Sequence, residues 1–140
     1  MANGTPGTAS SIGLLVLRLG AGTMMIYGHG WAKLAHYSER AAHFPDPLGV
    51  GSAKSLGLVI FAEVLCSLCV VLGFATRFAS APLVFSMCVA AFVVNRGAPF
   101  KDMELALLYL VPFATLMFTG GGAYALDARF GPRVTFKGGK

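Results

Sequence analysis

The sequence predicts an all-α fold, a four-helix transmembrane bundle with a long loop between helices 1 and 2. Hydrophobic residues make up 56% of the 140 residues and charged residues only 12%, about half the charged fraction that is usual in a soluble domain. Four apolar runs each have about the length that crosses ~30 Å of hydrocarbon, whereas a barrel needs shorter, alternating segments. This composition disfavours a soluble enzyme, a disordered protein and a DNA-binding domain. The net charge of +5 suits loops and a tail that face anionic lipid.

Each apolar run supports a span for its own reason. The second run holds one charged residue, Glu63, and the fourth holds none. The third run is short and uncharged, and Pro82 falls near its start, where the missing N–H of proline costs least. The first run contains Arg18, but aliphatic residues continue on both sides of it. The spans predicted from these runs cover residues 12–30, 56–75, 78–94 and 105–126.

The segments outside the spans complete one membrane domain. We expect a flexible N-terminal tail over residues 1–10, the four-helix membrane domain over 11–127 and a basic C-terminal tail over 128–140. The long loop runs from about Trp31 to Lys54. No cleaved signal peptide is predicted, because no Lys or Arg precedes the apolar run. Positive charges divide evenly between the two sides of the membrane, but the cationic tail favours termini in the cytoplasm.

Arg18 and Glu63 are the charged residues inside the predicted spans. Each lies roughly eight or nine residues into its span, which is ~12–14 Å deep at 1.5 Å per residue. An unpaired charge there costs roughly 2.5–3.5 kcal/mol, so we expect the two to form an ion pair. Two interpretations remain open. The pair either only holds the first two helices together, or it also orients a ligand or relays protons.

A second polar cluster is predicted at the face of the membrane opposite the termini. His29 and Lys33 follow Arg18 there, with His29 on the same helical stripe. Asn95 and Glu104 lie at the adjoining ends of the third and fourth spans. This mouth could bind the head group of a quinone, with His29 as proton carrier and Glu104 as its partner. The alternative is a set of interfacial groups and helix caps. The ligand-binding candidates are therefore Arg18, His29, Lys33, Glu63, Asn95 and Glu104, and no catalytic residue is assigned.

The other motifs point to no metal and no resident redox centre. Cys66 and Cys69 form a C-x-x-C motif, with Cys88 as a third thiol. The motif lies in mid-span, where no water or charge favours the thiolate, so we interpret these residues as packing residues. Zinc needs more ligands than this region offers, and the chain has no haem-attachment motif. A bound quinone is the cofactor that the sequence leaves open.

Several of these residues resemble the DoxX family of small bacterial membrane proteins. Leu17 to Leu34 read L-R-L-G-A-G-T-M-M-I-Y-G-H-G-W-A-K-L, which is similar to the arginine and H-G-x-x-K-L of the family's first helix. Glu63, followed by L-G-F-A-T-R, resembles its second helix and tight turn. Glu104 resembles the acidic start of helix four, and G-A-Y-A-L-D up to Asp127 resembles the closing G-x-Y-S-L-D.

The resemblance implies a multi-pass protein of the bacterial inner membrane. It also implies an association of some members with a thiosulfate:quinone oxidoreductase or with oxidative-stress complexes. It adds weight to Arg18, His29, Lys33, Glu63 and Glu104 as a group. Because one fold serves several functions, the family alone does not assign a reaction.

Three functions remain open, and whether the chain is an enzyme is not decided. The first is a redox-linked membrane subunit that binds a quinone and takes its electrons from an oxidoreductase partner. The second is a small proton-coupled transporter or permease. A permanent Arg18 partner would argue against this function by preventing Glu63 from cycling its proton. The third is a membrane anchor that recruits a soluble oxidoreductase through Arg129 to Lys140. The partners considered are the lipid bilayer, an oxidoreductase subunit and a second copy of the chain, but no nucleic acid.

Overall fold

The structure is a computed structural model that describes residues 7–130. Within this range the regular secondary structure is all helical. Four helices are long and apolar enough to cross a membrane, which confirms the predicted fold class. In chain order the helices are α1 (Thr8–Ala35), α2 (Tyr37–Arg40), α3 (Ser52–Leu72), α4 (Thr76–Val94), α5 (Phe100–Thr119) and α6 (Leu126–Phe130).

The helix ends differ from the limits of the apolar runs. α1 begins at Thr8 and continues to Ala35, so it is longer than the predicted span at both ends. The short helix α2 lies in the connection to α3, so a long loop between the first two spans is not confirmed. α5 ends at Thr119, because the next residue, Gly120, has a φ of 78° and leaves the helical region. Residues 1–6 and 131–140, which hold most of the two expected tails, lie outside the described range.

Glycines on α1 set its register against α3. A Cβ atom on Gly22 would lie 2.5 Å from Cγ2 of Val71, and one on Gly30 would lie 2.7 Å from Cγ2 of Val64. Small residues of this kind let membrane helices approach closely. The same position on Gly30 is 3.1 Å from the backbone of Glu63. Glu63 therefore lies level with Gly30, near the end of α1.

Two π-helical turns face each other across this contact. Ile26–Gly30 forms one in α1, and Phe61–Cys66 forms the other in α3. Such turns are rare and are often found at functional sites. The turn in α1 carries His29, and the turn in α3 carries Glu63. Two of the six predicted site residues therefore lie on widened helical turns.

Asp127 ties the segment after α5 to the start of α4. Its carboxylate accepts hydrogen bonds from the backbone N–H groups of Ala75 at 2.6 Å and Thr76 at 2.8 Å, and from the Thr76 hydroxyl at 2.8 Å. The N–H of Asp127 donates to the carbonyl of Gly73 at 2.9 Å. Asp127 thus satisfies N–H groups that would have no partner at the helix start.

We expect the Asp127→Asn substitution to lower the free energy of unfolding by about 1–2 kcal/mol, the usual value of a helix cap. The amide has one acceptor oxygen and no charge, so it cannot replace all three bonds. Thermal unfolding in mild detergent measures the loss. Asp102→Asn is the matched control, because Asp102 is exposed. Equal melting temperatures for the two variants would contradict the capping role.

Candidate functional site

Lys33 and Glu63 form the central ion pair of the bundle. The Lys33 ammonium donates to both oxygens of Glu63, at 2.7 Å to Oε1 and 2.6 Å to Oε2. The side chains are 17% and 4% exposed, respectively. Removing one partner of a buried pair leaves an uncompensated charge, so each residue depends on the other.

The predicted ion pair between Arg18 and Glu63 is wrong. Glu63 pairs with Lys33 instead. Arg18 donates from Nη2 to the carbonyl of Tyr124 at 3.3 Å, while its Nε and Nη1 have no hydrogen-bond partner among the described residues. The register explains the error. Glu63 lies level with Gly30, which is about 18 Å further along α1 than Arg18 at 1.5 Å per residue.

Arg18 instead lies beneath the segment that follows α5. The residue is almost fully buried, with 1% exposure. A Cβ atom on Gly73 would lie 1.8 Å from Arg18 Nη1, and one on Gly121 would lie 3.1 Å from it. Asp127 contributes a negative charge within electrostatic reach. Arg18 therefore belongs to the structure that closes the end of the bundle nearer the termini, away from the Lys33–Glu63 pair.

His29 and Tyr109 lie beside the ion pair. Their ring centroids are 5.3 Å apart and the rings are nearly perpendicular, at 87°. Tyr109 also stacks on Phe113, at 6.3 Å between centroids. A Cβ atom on Gly30 would lie 3.1 Å from the backbone of Glu63, and one on Gly28 would lie 3.9 Å from the Tyr109 hydroxyl, so both rings lie at the level of the ion pair. The structure thus brings three predicted residues, His29, Lys33 and Glu63, together with one that was not predicted.

Asn95 and Glu104 do not join this group. Asn95 donates from Nδ2 to the backbone carbonyl of Asp102 at 3.2 Å, so it supports the turn between α4 and α5. Glu104 is exposed, and no ion pair of Glu104 is found in residues 7–130. The expected role of Glu104 as partner of His29 is therefore not supported by a contact. Tyr109 takes that place.

Sequence reasoning missed Tyr109 because an aromatic residue in an apolar run usually belongs to the core. One signal was available. Tyr109 lies nine residues into α5, far from the ends at which interfacial tyrosines gather. A hydroxyl at that depth needs a polar neighbour, and α1 and α3 supply the nearest charged ones.

A cavity of about 320 Å³ opens beside the ion pair. It lies between α3 and α4, and the connection between α2 and α3 covers one end. Its walls are mostly apolar, and Lys33 and Glu63 supply charge at one side. Phe61 and Phe85 line it while 48% and 57% exposed, so the cavity opens sideways toward the bilayer.

Asp46 orders the connection that covers this cavity. Its carboxylate accepts hydrogen bonds from the Ser55 hydroxyl and the Gly51 N–H, both at 2.7 Å. Both bonds lower the pKa of Asp46, and the bond from Ser55 has the larger effect. The carboxylate therefore stays ionised at neutral pH and anchors the loop that carries Phe44 and Leu48 to the cavity wall.

The three cysteines do not line this cavity. Cys66 is buried, Cys69 and Cys88 are partly buried, and all three are free. Cys66 belongs to the hydrophobic core, and Cys69 packs against it. Within residues 7–130 no cluster of three or more His, Cys, Asp or Glu side chains is placed to hold a metal ion.

Comparison with known proteins identifies the family. No solved structure matches the chain. An uncharacterized protein of Haemophilus influenzae is 32% identical over 124 residues, which is 84% of this chain and 90% of the relative. The family model described as DoxX matches residues 13–96, a range that holds the ion pair and the three helices around the cavity. The chain therefore belongs to the DoxX family and is a multi-pass membrane protein.

Proposed function

We propose that this protein is a redox-linked membrane subunit that binds a quinone, or a similar lipid-soluble carbonyl compound, in the cavity beside Lys33 and Glu63. The observation that carries the proposal is a buried ion pair at the wall of an apolar cavity that opens to the bilayer. Ligand sites combine apolar walls with a few polar groups that fix the orientation of the ligand.

The chemistry of the pair suits an oxygen-bearing ring. The Lys33 ammonium can donate to a carbonyl oxygen, and the Glu63 carboxylate can accept from a hydroxyl. The same two side chains therefore fit both the oxidised and the reduced form of a quinone. A volume of about 320 Å³ is at the low end for small-molecule pockets, so the ring and the first part of its tail lie in the cavity. The rest of the tail extends between Phe61 and Phe85 into lipid.

This function requires an electron-donating partner and a place in a bacterial membrane. Electrons come from an oxidoreductase subunit, which binds the protein at the membrane surface. The protein lies in a bacterial plasma membrane with its termini in the cytoplasm, and it can also associate with a second copy of itself. Recruitment through Arg129 to Lys140 stays a prediction, because most of that tail lies outside the described residues.

Quinone binding can be measured with Trp31, the single tryptophan of the chain. It lies two residues from Lys33. We expect short-chain benzoquinone and naphthoquinone analogues to quench its fluorescence saturably in nanodiscs. Lys33→Met should weaken binding at least tenfold, because the ligand loses its charged donor. Lys54→Met should leave it unchanged, because Lys54 is exposed.

Calorimetric titration checks that quenching reports binding. Lack of saturation with a folded protein, or equal affinity of Lys33→Met and the wild type, would contradict the proposal. Native mass spectrometry from mild detergent shows which quinone and which partner subunit are retained.

Proton-coupled transport is the second candidate, and one observation favours it. The partner of Glu63 is a lysine and not the permanent arginine that would prevent a proton cycle. Lysine shifts its pKa readily on burial, whereas arginine stays charged. Efflux of a lipophilic cation from proteoliposomes under a pH gradient, lost in Glu63→Gln, would favour transport over quinone binding.

A further inference from the structure

Four polar side chains line the ligand cavity, and one of them, Ser86, has no hydrogen-bond partner among the described residues. Lys33 and Glu63 are paired with each other, and the Ser55 hydroxyl donates to Asp46 at 2.7 Å. Polar groups inside a protein normally have partners. The hydroxyl of Ser86 is therefore available to a ligand.

Other hydroxyls in the membrane helices behave differently from that of Ser86. Ser80, Thr115 and Thr119 each donate to the backbone carbonyl one turn earlier, at 2.7, 2.9 and 2.8 Å, respectively. This bond satisfies a hydroxyl where the hydrocarbon offers no water. Ser86 lacks such a bond, although it is half-buried in the middle of α4. Its hydroxyl thus gives the cavity a second polar point, on the side of α4.

The periodicity of α4 directs Ser86 toward the cavity. Pro82, Ser86 and Ala90 recur at every fourth residue, and all three line the cavity. Residues with this spacing share one face of a helix. Ser86 lies at the centre of that face, so its side chain extends toward the cavity.

Ser86 lies across the cavity from Glu63, at the same depth. Glu63 is ten residues before Gly73, and Ser86 is ten residues after Thr76, on the other side of the tight turn. At 1.5 Å per residue each lies ~15 Å from this turn. The π-helical turn that carries Glu63 packs on α4. The ion pair and the free hydroxyl therefore lie at one level on opposite walls of the cavity.

We propose that Ser86 is the second polar contact of the ligand, and that the cavity selects a ring with an oxygen atom at each of two opposite positions. The inference rests on the proposed function and narrows it to a class of ligand. One oxygen binds at Lys33 and Glu63, and the other binds the Ser86 hydroxyl. A hydroxyl donates to a carbonyl and accepts from a phenol, so Ser86 serves the oxidised and the reduced form alike.

The test compares two ligands with the same methylated ring. Duroquinone carries an oxygen at each of two opposite ring positions, and durenol carries only one oxygen. Calorimetric titration of the full protein in nanodiscs gives both affinities. We expect Ser86→Ala to weaken duroquinone binding about three- to tenfold, the value of one neutral hydrogen bond, and to leave durenol binding unchanged. Ser80→Ala is the matched control on the same helix, because Ser80 does not line the cavity, and it should change neither affinity.

Infrared difference spectroscopy of bound duroquinone assigns each contact to one carbonyl. A hydrogen bond lowers the stretching frequency of a carbonyl, so the wild type should show two lowered bands. Ser86→Ala should return one band to the frequency of the free ligand, and Lys33→Met should return the other. Ser86→Thr and Ser86→Val carry the test if Ser86→Ala does not fold, since they differ from each other in the hydroxyl at nearly equal volume.

The outcomes separate this inference from the proposed function. Equal weakening of duroquinone and durenol, or carbonyl bands in Ser86→Ala that match the wild type, would overturn the second contact. If Lys33→Met weakens duroquinone binding and Ser86→Ala does not, only this inference fails. A folded wild-type protein that binds no duroquinone contradicts both proposals.

Discussion

Replacing Gly73 with alanine is expected to destabilise the protein by about 2–5 kcal/mol. Gly73 has a φ of 73°, a conformation that costs an L-residue about 1–2 kcal/mol. The added Cβ would also lie 1.8 Å from Arg18 Nη1 and 2.6 Å from the Cβ of Ala125. Such overpacking adds about 1–3 kcal/mol. Thermal unfolding in mild detergent measures the sum.

Substitutions at two other glycines distinguish the cost of the positive φ from the cost of the close contact. Gly49 has a φ of 69° and no atom within 4 Å of an added Cβ, so Gly49→Ala measures the backbone strain alone. Gly57 is helical and equally open, and Gly57→Ala should be close to neutral. If Gly73→Ala lost no more stability than Gly49→Ala, the close contact of Gly73 with Arg18 would be unimportant.

Breaking either half of the Lys33–Glu63 pair is expected to cost about 3–5 kcal/mol of unfolding free energy. Glu63→Gln leaves the ammonium without its counter-ion, and Lys33→Met leaves the carboxylate buried and unpaired. The double variant removes both charges, so it should lose clearly less than the sum of the single losses. Reversible unfolding in mixed detergent micelles gives the four free energies of the cycle.

The coupling energy decides whether the pair is one energetic unit. Residues that share a salt bridge typically couple by about 0.5–3 kcal/mol. Pairing Lys54→Met with Glu63→Gln gives the control cycle, because Lys54 is exposed, and its losses should simply add. Additive losses for Lys33 and Glu63 as well would show that the 2.6 Å contact contributes nothing specific.

The four spans could be predicted from the sequence because each run is apolar over the thickness of a bilayer. The interaction partner of Arg18 could not be predicted from the sequence. Depth was counted from the ends of the runs, whereas the register of α1 on α3 is set by Gly22 and Gly30. A glycine in a membrane helix indicates close approach, but it does not indicate which residues of the neighbouring helix it meets.

Three of the six predicted site residues could be identified from residue type alone. His29, Lys33 and Glu63 are polar groups in or near apolar runs, so burial in a small bundle brings them together. Asn95 and Glu104 were selected by their place at helix ends, where solvent satisfies polar groups equally well. Tyr109 and the cavity depend on how α3, α4 and α5 pack, and tertiary packing of this kind has no local pattern in the sequence.

The contact between Arg18 and the segment after α5 has a consequence for how the protein is made. The carbonyl that accepts from Arg18 belongs to Tyr124, 106 positions later in the chain, and Asp127 follows shortly after. During synthesis the first span is therefore made before this acceptor, and the contact can form only after the other three spans have followed. Closure of this end of the bundle is therefore set by the arrival of the segment after α5, however early the first span is made.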